Sequence, residues 1–267
     1  MSKTYSAFKR VRVIKNMAIV SLLALISVIT SVKVDFSMLN LLDGIPKGAQ
    51  FVMDIFPPDW SAFQDLVMPA LETIILALLA TVVGSILSVL FAIAGSNNIA
   101  PSWLKAISRT IMAMERALPE IIIILPLIAA LGLGYFAGVI ALSIGCIGML
   151  GKLFADAIEE IPDSITDSLK MTGASQAQVI WFAVLPEVTN SIINNTIFRF
   201  EVNIRLSVLL GAVGAGGIGY ELYFAFQMLD YNRMTAAIII ILILVIGSER
   251  LSSLLRKYIN EGSTAAV

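Results

Sequence analysis

Two short segments concentrate side chains that could do chemistry. "MERALPEIIII" carries Glu115, Arg116 and Glu120, and "FRFEVNIR" carries Arg199, Glu201, Asn203 and Arg205, both within long apolar surroundings. Carboxylates and guanidinium groups are costly in such places unless they pair or line a hydrated interior path. Glu201 and Arg205 stand four apart on one helical face, where they can form an ion pair that locks helices together. The other reading gives Arg116, Arg199 or Arg205 a cavity hospitable to an oxoanion, whose oxygens suit the planar guanidinium fork. A glutamate beside such an arginine keeps the site weak enough to release what it takes. Acid and base catalysis by Glu115, Glu120 and Glu201 is a third possibility.

Several other chemistries lack their residues. There is no histidine in the chain, which removes Ser-His and Cys-His nucleophile pairs and histidine-based zinc and haem sites. Cys146 is the single cysteine, so neither an intrachain disulfide nor a cysteine metal cage can form; within "IALSIGCIGML" it reads as a small core residue. "GAVGAGGIG" spaces Gly211, Gly214, Gly216, Gly217 and Gly219 in a way that resembles a dinucleotide-binding turn, but no strand precedes it and no βαβ unit surrounds it. No Gly-x-x-x-x-Gly-Lys-Ser/Thr loop for binding a nucleoside triphosphate is present.

The elements that would position these residues are membrane helices. The 267 residues are 58% hydrophobic and only 14% charged, with a mean hydropathy of +0.90, whereas soluble domains carry roughly 25% charged residues. The net charge of -1 and the dispersed basic residues give no nucleic-acid stripe. The expected fold class is an all-α membrane protein with about six transmembrane helices, since the apolar blocks are long enough to cross about 30 Å of hydrocarbon. Residues 1–32 form a cytoplasmic N-terminal segment and a first, uncleaved span, because no small-x-small cleavage site follows the basic start. Residues 33–65 are an extracytoplasmic connection ending in "DIFPPDW", whose paired prolines stop a helix. Residues 66–257 are the core, with spans near 66–94, 107–131, 135–157, 188–213 and a final run from Met234, and 258–267 a cytoplasmic tail. Twelve Lys and Arg fall in the inside segments of this arrangement and three in the outside ones, which puts both termini in the cytoplasm. The polar stretch 158–186 then faces the cytoplasm too. It reads as helix, turn, helix, divided at Gly173 and closed by Leu185-Pro186. Its apolar Leu169, Val179, Ile180, Phe182 and Val184 face either another protein or the chain's own membrane domain.

That stretch, "DSITDSLKMTGASQAQVIWFAVLP", resembles the cytoplasmic EAA motif of ABC importer permeases: Asp167-Ser168-Leu169 stands for Glu-Ala-Ala, Gly173 for the glycine, and Leu185-Pro186 for the ending. The blocks "FPPDW", "ALPE", "FAGVIAL", "IGMLGKLFADAIEEI", "TGASQAQVI", "VLPEV", "RFEVNIR" and "GAVGAGGIGYEL" are similar, in order, to the phosphonate permease family. The resemblance runs from about Phe56 to Leu222. Where the family usually has Gly-x-Gly-Pro, this chain has Gly132-Leu133-Gly134-Tyr135, and the oxoanion stays open among phosphonate, phosphite, hypophosphite and phosphate ester.

The resemblance implies a type I ABC importer permease fold, a homodimer with the substrate passing between subunits by alternating access, and a transport subunit rather than an enzyme. It implies two ABC ATPase subunits, an extracytoplasmic solute-binding protein and membrane lipid as partners. It implies no cofactor on this chain, with ATP and Mg on the partner ATPase, no metal site and a location in the cell (inner) membrane. Coupling to the ATPase falls to Asp167, Ser168, Leu169, Lys170, Thr172, Gly173, Ala174 and Ser175. The pathway falls to Glu115, Arg116, Glu120, Arg199, Glu201, Asn203 and Arg205, and an outer gate or loop, described as a flexible turn, to Gly214, Gly216, Gly217 and Gly219. The competing reading is a self-sufficient channel or secondary transporter that uses the buried carboxylates for ion coupling.

Overall fold

A computed structural model describes the backbone of residues 2–34 and 36–264, and the side chains of 13–31, 33–34, 36–38 and 40–261. The chain divides into two compact units, Met1–Phe56 and Pro57–Val267. The next helix starts at Ala62, within the stretch 33–65 expected as a connection.

The first unit has two helices. α1 (Ser2–Lys33) contains the 19-residue apolar stretch Val13–Ser31, long enough to span a bilayer. α2 (Met38–Asp54) is amphipathic and starts at Ser37, whose hydroxyl accepts from the Asn40 N–H and so satisfies one of the open donors of the first turn. It ends just before Pro57-Pro58, which cannot donate to a helical ladder.

The second unit is built on α3 (Ala62–Gly95) and α6 (Tyr135–Glu159), which pack along their length. Small residues make that approach possible. Gly84 faces Cys146 so closely that a Cβ on it would lie 2.5 Å from the cysteine's own Cβ. Ser88 donates to the Gly84 and Cys146 carbonyls at 2.6 and 3.1 Å, and Ser143 to the Ala80 carbonyl at 3.2 Å. Cys146 is fully buried there, as a small core residue.

The block expected as one span over 107–131 is two helices, α4 (Ser102–Ala117) and α5 (Glu120–Leu131). The break has a local cause: Leu118 precedes a proline, which disfavours helical backbone, and both Leu118 (ψ 131°) and Pro119 (ψ 141°) are extended. α5 turns into α6 through Gly132 and Gly134, both at positive φ (87° and 136°), so the tight turn expected of "LGLG" is present.

α7 (Asp163–Met171) and α8 (Gln176–Val179) follow α6, separated by Gly173 at φ 85°. Leu185-Pro186 does not close the second helix. A π-helical turn at Ile180–Val184 instead leads into α9 (Leu185–Leu210), with the Leu185 N–H donating to the Ile180 carbonyl. Pro186 sits in the first turn of α9, and the wider register just before it accommodates a residue that lacks an N–H. A second π-helical turn, Gly211–Ala215, precedes α10 (Ile218–Gln227), and α9 and α10 form a pair bent by 54°. α10 was not expected. α11 (Tyr231–Thr264) closes the unit and runs through the stretch expected as a separate tail from residue 258. Among the described residues, four helices are long and apolar enough to cross a membrane, or five if the bent pair counts as one span. The sixth expected span is the broken α4–α5 pair.

Candidate functional site

Arg199 sits near the middle of α9 and is only 4% exposed. It fits against α6 because residue 145 is glycine: a Cβ there would lie 2.9 Å from Nη2 of Arg199. Its Nη1 lies 3.5 Å from the Met149 sulfur, while Nε and Nη2 have no hydrogen-bond partner among the described residues. One helical turn further along α6, Gly148 leaves room for Glu115 and Arg116, whose atoms lie within 3 Å of where its Cβ would be. Gly151 does the same for the sulfur of Met112, 2.7 Å from that position. Glycines at 145, 148 and 151 therefore give α6 a smooth face on which α4 and Arg199 lie.

The result is an open cavity of about 370 Å³ lined by Glu115, Arg116, Glu120, Gly145, Met149 and Arg199, with the extended Leu118-Pro119 break on its wall. Arg199 makes no ion pair with any described residue, although Glu115 and Glu120 line the same space. A charged guanidinium with free N–H groups beside a polar cavity is arranged to meet a mobile anion, whereas one engaged bidentately by a carboxylate is not.

Four of the seven expected pathway residues meet in this cavity. The other three do not line it: Glu201 and Arg205, two and six positions on, are turned from Arg199 by about 200° and 240°, while Asn203, four positions on, keeps nearly the same face but sits about 6 Å further along α9. Glu201 is 5% exposed and accepts from Arg205 at 2.9 Å, four residues on, as its spacing predicts. Its other oxygen lies 3.8 Å from Arg256 of α11, which also stacks over the Phe198 ring at 5.7 Å. This carboxylate holds α9 and α11 together. Asn203 is fully buried between α3, α6 and α9, donating to Thr81 Oγ1 at 2.9 Å and lying 3.4 Å from the Cys146 sulfur, with its Oδ1 unpartnered.

The residues of the 158–186 stretch divide between two faces. Leu169, Ala174, Val179 and Val184 pack against a core that includes Leu150, Phe154, Ile158 and Ile161, so these apolar groups serve the chain's own membrane unit. Met171, Trp181 and Phe182 are exposed at 87%, 68% and 74%. Gly173 has nothing within 4 Å of its missing Cβ, so its positive φ alone requires glycine. Ser175 and Gln178 form a reciprocal capping box that starts α8. Asp167 pairs with Lys170 at 2.9 Å on the exposed side, and the hydroxyls of Ser168 and Thr172 return to the carbonyls of Ile165 and Leu169.

At the other end of α6, the glycine segment is closely packed. Gly214, Gly216 and Gly217 take φ values of 109°, 87° and 72°. The Gly134 N–H donates to the Gly214 carbonyl at 3.0 Å, the Tyr135 ring lies against Gly216, and the Ile218 N–H donates to Thr73 Oγ1 at 2.9 Å. Tyr135 donates to Glu72. Gly219 lies inside α10, where a Cβ would be 1.9 Å from the Val208 carbonyl oxygen. No side chain larger than hydrogen fits there.

Residues 84–261 match the family described as binding-protein-dependent transport system inner membrane component. The chain belongs to this family of permeases. It is 34% identical over 220 residues to a phosphite transport system permease protein of Stutzerimonas stutzeri, PtxC, covering 82% of this chain and 80% of that protein. It is 34% identical over 238 residues to a phosphate-import permease protein of Mycolicibacterium smegmatis, PhnE, covering 89% of this chain and 45% of that protein. The fold is similar to the permease chain in inward-facing crystals of the MetNI methionine ABC transporter, with a TM-score of 0.66 at 20% identity, covering 75% of this chain and 99% of that one.

The permease is thus a multi-pass inner membrane protein and a transport subunit rather than an enzyme, and its family works with ATPase and substrate-binding protein partners. Composition did not single out Gly145, Gly148 and Gly151, although these residues let Arg199 and α4 approach α6. The signal was available as glycines at every third position in "GCIGMLG", which puts small residues on successive turns of neighbouring helix faces. Glu72 and Tyr135, paired across the far end, lie 63 positions apart and carry no local signal.

Proposed function

We propose that this permease carries phosphite, phosphonate or a related phosphorus oxoanion through the membrane in an ATP-driven importer, with Arg199 and Arg116 meeting the anion in the cavity between α4, α5, α6 and α9. The observation that carries the reading is Arg199: its side chain lines that cavity, and its buried guanidinium has two nitrogen atoms with no partner among the described residues. Relatives whose names specify phosphite and phosphate transport support the substrate class. Glu115 and Glu120 share the cavity, and their charge weakens anion binding enough for release.

In this reading two copies of the chain enclose the path and alternate between outward and inward openings. Both termini and α7 lie on the cytoplasmic side. The segment from Asp167 to Ser175 is the coupling helix and turn, with Met171, Trp181 and Phe182 as the apolar face offered to the ATPase and Asp167 as its polar contact. Lys170, tied to Asp167, and the turn at Thr172, Gly173 and Ala174 give that lever its shape. ATP and Mg reside on the ATPase, and this chain holds no cofactor. The packed turn at Gly214, Gly216, Gly217 and Gly219 belongs to the outer gate. Glu201, Asn203 and Arg205 keep α9 in position beside the path.

The reading is tested by reconstituting the permease with its ATPase in lipid and adding the binding protein loaded with phosphite, methylphosphonate or phosphate in turn. Stimulated ATP hydrolysis with one loaded form supports it and names the anion. Anion uptake that persists with no ATPase present would favour a self-sufficient channel or secondary transporter instead.

A further inference from the structure

A second cavity, of about 240 Å³, lies on the same groove and is lined by Arg109, Met112, Arg116, Lys152 and Asp156, among others. Arg116 lines both cavities. The two follow one another along α6: Arg199 lies at the level of Gly145, Arg116 at Gly148 and the second cavity at Lys152. Seven residues of helix separate Gly145 from Lys152, a travel of about 10 Å. On α4, Arg109 and Arg116 are likewise seven apart, two turns along one face, with the buried Met112 between them.

The charges change along this line. The first cavity sets Arg116 and Arg199 against Glu115 and Glu120. The second is lined by Arg109, Arg116, Lys152 and Asp156, with Glu159 paired to Arg109 beside it. Arg109 is held by Glu159 and by the Gly95 carbonyl, and Lys152 by Asp156 at 2.7 Å, so these two cations are fixed in place. Arg116 is exposed and makes no ion pair with any described residue. Among the described residues it is the cation that borders both spaces without an ion pair.

Resting on the reading above, we propose that the groove between α4 and α6 is a two-station exit path, in which Arg116 passes the oxoanion from the Arg199 cavity to a second station formed by Arg109 and Lys152. The second station has the more positive lining, which draws the anion toward the Lys152 end of α6. Its two fixed cations are already partly neutralised by carboxylates, which keeps the anion from being retained there. Arg116 is a binding and relay residue, and no covalent step is involved.

Charge-selective thiol labelling of the full transporter in lipid nanodiscs tests this, with a cysteine introduced by Ala113→Cys, whose position lines the second cavity. An anionic sulfonatoethyl and a cationic trimethylammonioethyl methanethiosulfonate are compared, and Ser102→Cys at the exposed start of α4 is the reference. The native Cys146 is fully buried, and labelling of the parent protein gives the background. Any change in the thiol's own ionisation affects both reagents equally, so the ratio of their rates isolates the local potential.

The expected result is a higher anionic-to-cationic ratio at position 113 than at position 102. Adding Arg116→Gln should lower the ratio about threefold to sevenfold, the effect of one charge some 7 Å away in a water-like medium, before full salt screening. Arg116→Lys should keep most of it. A ratio equal at the two positions overturns the exit path, and this comparison needs no change at Arg116. A ratio that Arg116→Gln leaves unchanged overturns the relay. If the wild-type transporter imports phosphite while labelling ignores charge, only the exit path fails; if it moves no phosphorus oxoanion, the underlying reading fails.

Discussion

Replacing Arg199 with methionine should stabilise the folded permease. The guanidinium is 4% exposed, and its Nε and Nη2 have no protein partner. A buried donor left unsatisfied costs about 1–3 kcal/mol, and a charged one more. Methionine fills much of the same volume with a flexible apolar chain and meets Met149, the side chain Arg199 already touches. Against the gain stands the lost attraction to the carboxylates lining the cavity. Replacing a buried charge by an apolar residue is often neutral or stabilising, and we expect a net gain of about 1–2 kcal/mol. For a domain of this size that raises Tm by about 2–8 °C. Thermal unfolding of the purified permease–ATPase complex, followed by near-ultraviolet fluorescence, measures it. A Tm lowered by several degrees, or loss of the folded complex, would show that Arg199 is a structural member of an ion network and would remove the reasoning that assigns it to a mobile anion.

Glu201→Gln should act in the opposite direction. It removes the one carboxylate that holds both Arg205 and Arg256, and a loss of about 1–3 kcal/mol, read by the same melt, is expected. Gly219→Ala should be the most disruptive small change in α10, since its methyl would meet the Val208 backbone rather than a movable side chain; about 1–3 kcal/mol of overpacking should appear as reduced folded yield in detergent. Gly173→Ala should cost only about 1–2 kcal/mol of backbone strain, as its surroundings are open. Gly173→Pro or Asp167→Lys should leave the membrane fold intact and uncouple ATP hydrolysis from uptake, checked by measuring both in one preparation.

The long apolar blocks were readable because membrane helices declare themselves by length and hydropathy: α3, α6 and α11 fall where composition puts them. So did the features with a local cause, among them the Glu201–Arg205 pair at helical spacing and the positive φ of Gly132, Gly134 and Gly173. The break of the 107–131 block was also encoded locally, in Leu118-Pro119, but the surrounding hydropathy masked it. α10 was hidden for a different reason. It follows "GAVGAGG", six glycine and alanine positions in seven that read as a loop, and it exists because Gly211 and Gly219 let it fold back on α9.

The site was legible only in part. Residue types identified Glu115, Arg116, Glu120 and Arg199, yet equally offered Glu201, Asn203 and Arg205, since hydropathy cannot say which face of α9 meets a cavity. Arg109 and Lys152 looked like ordinary inside-facing charges. Only the packing of α4 on the glycine face of α6 brings them into line with Arg116.

The most direct test of the oxoanion pathway is ATP-dependent phosphite uptake into liposomes holding the complete transporter, wild type beside Arg199→Met. The account predicts accumulation by the wild type and its loss, at least tenfold, in a variant that still folds and still binds its ATPase. Uptake by folded Arg199→Met at the wild-type rate would contradict it.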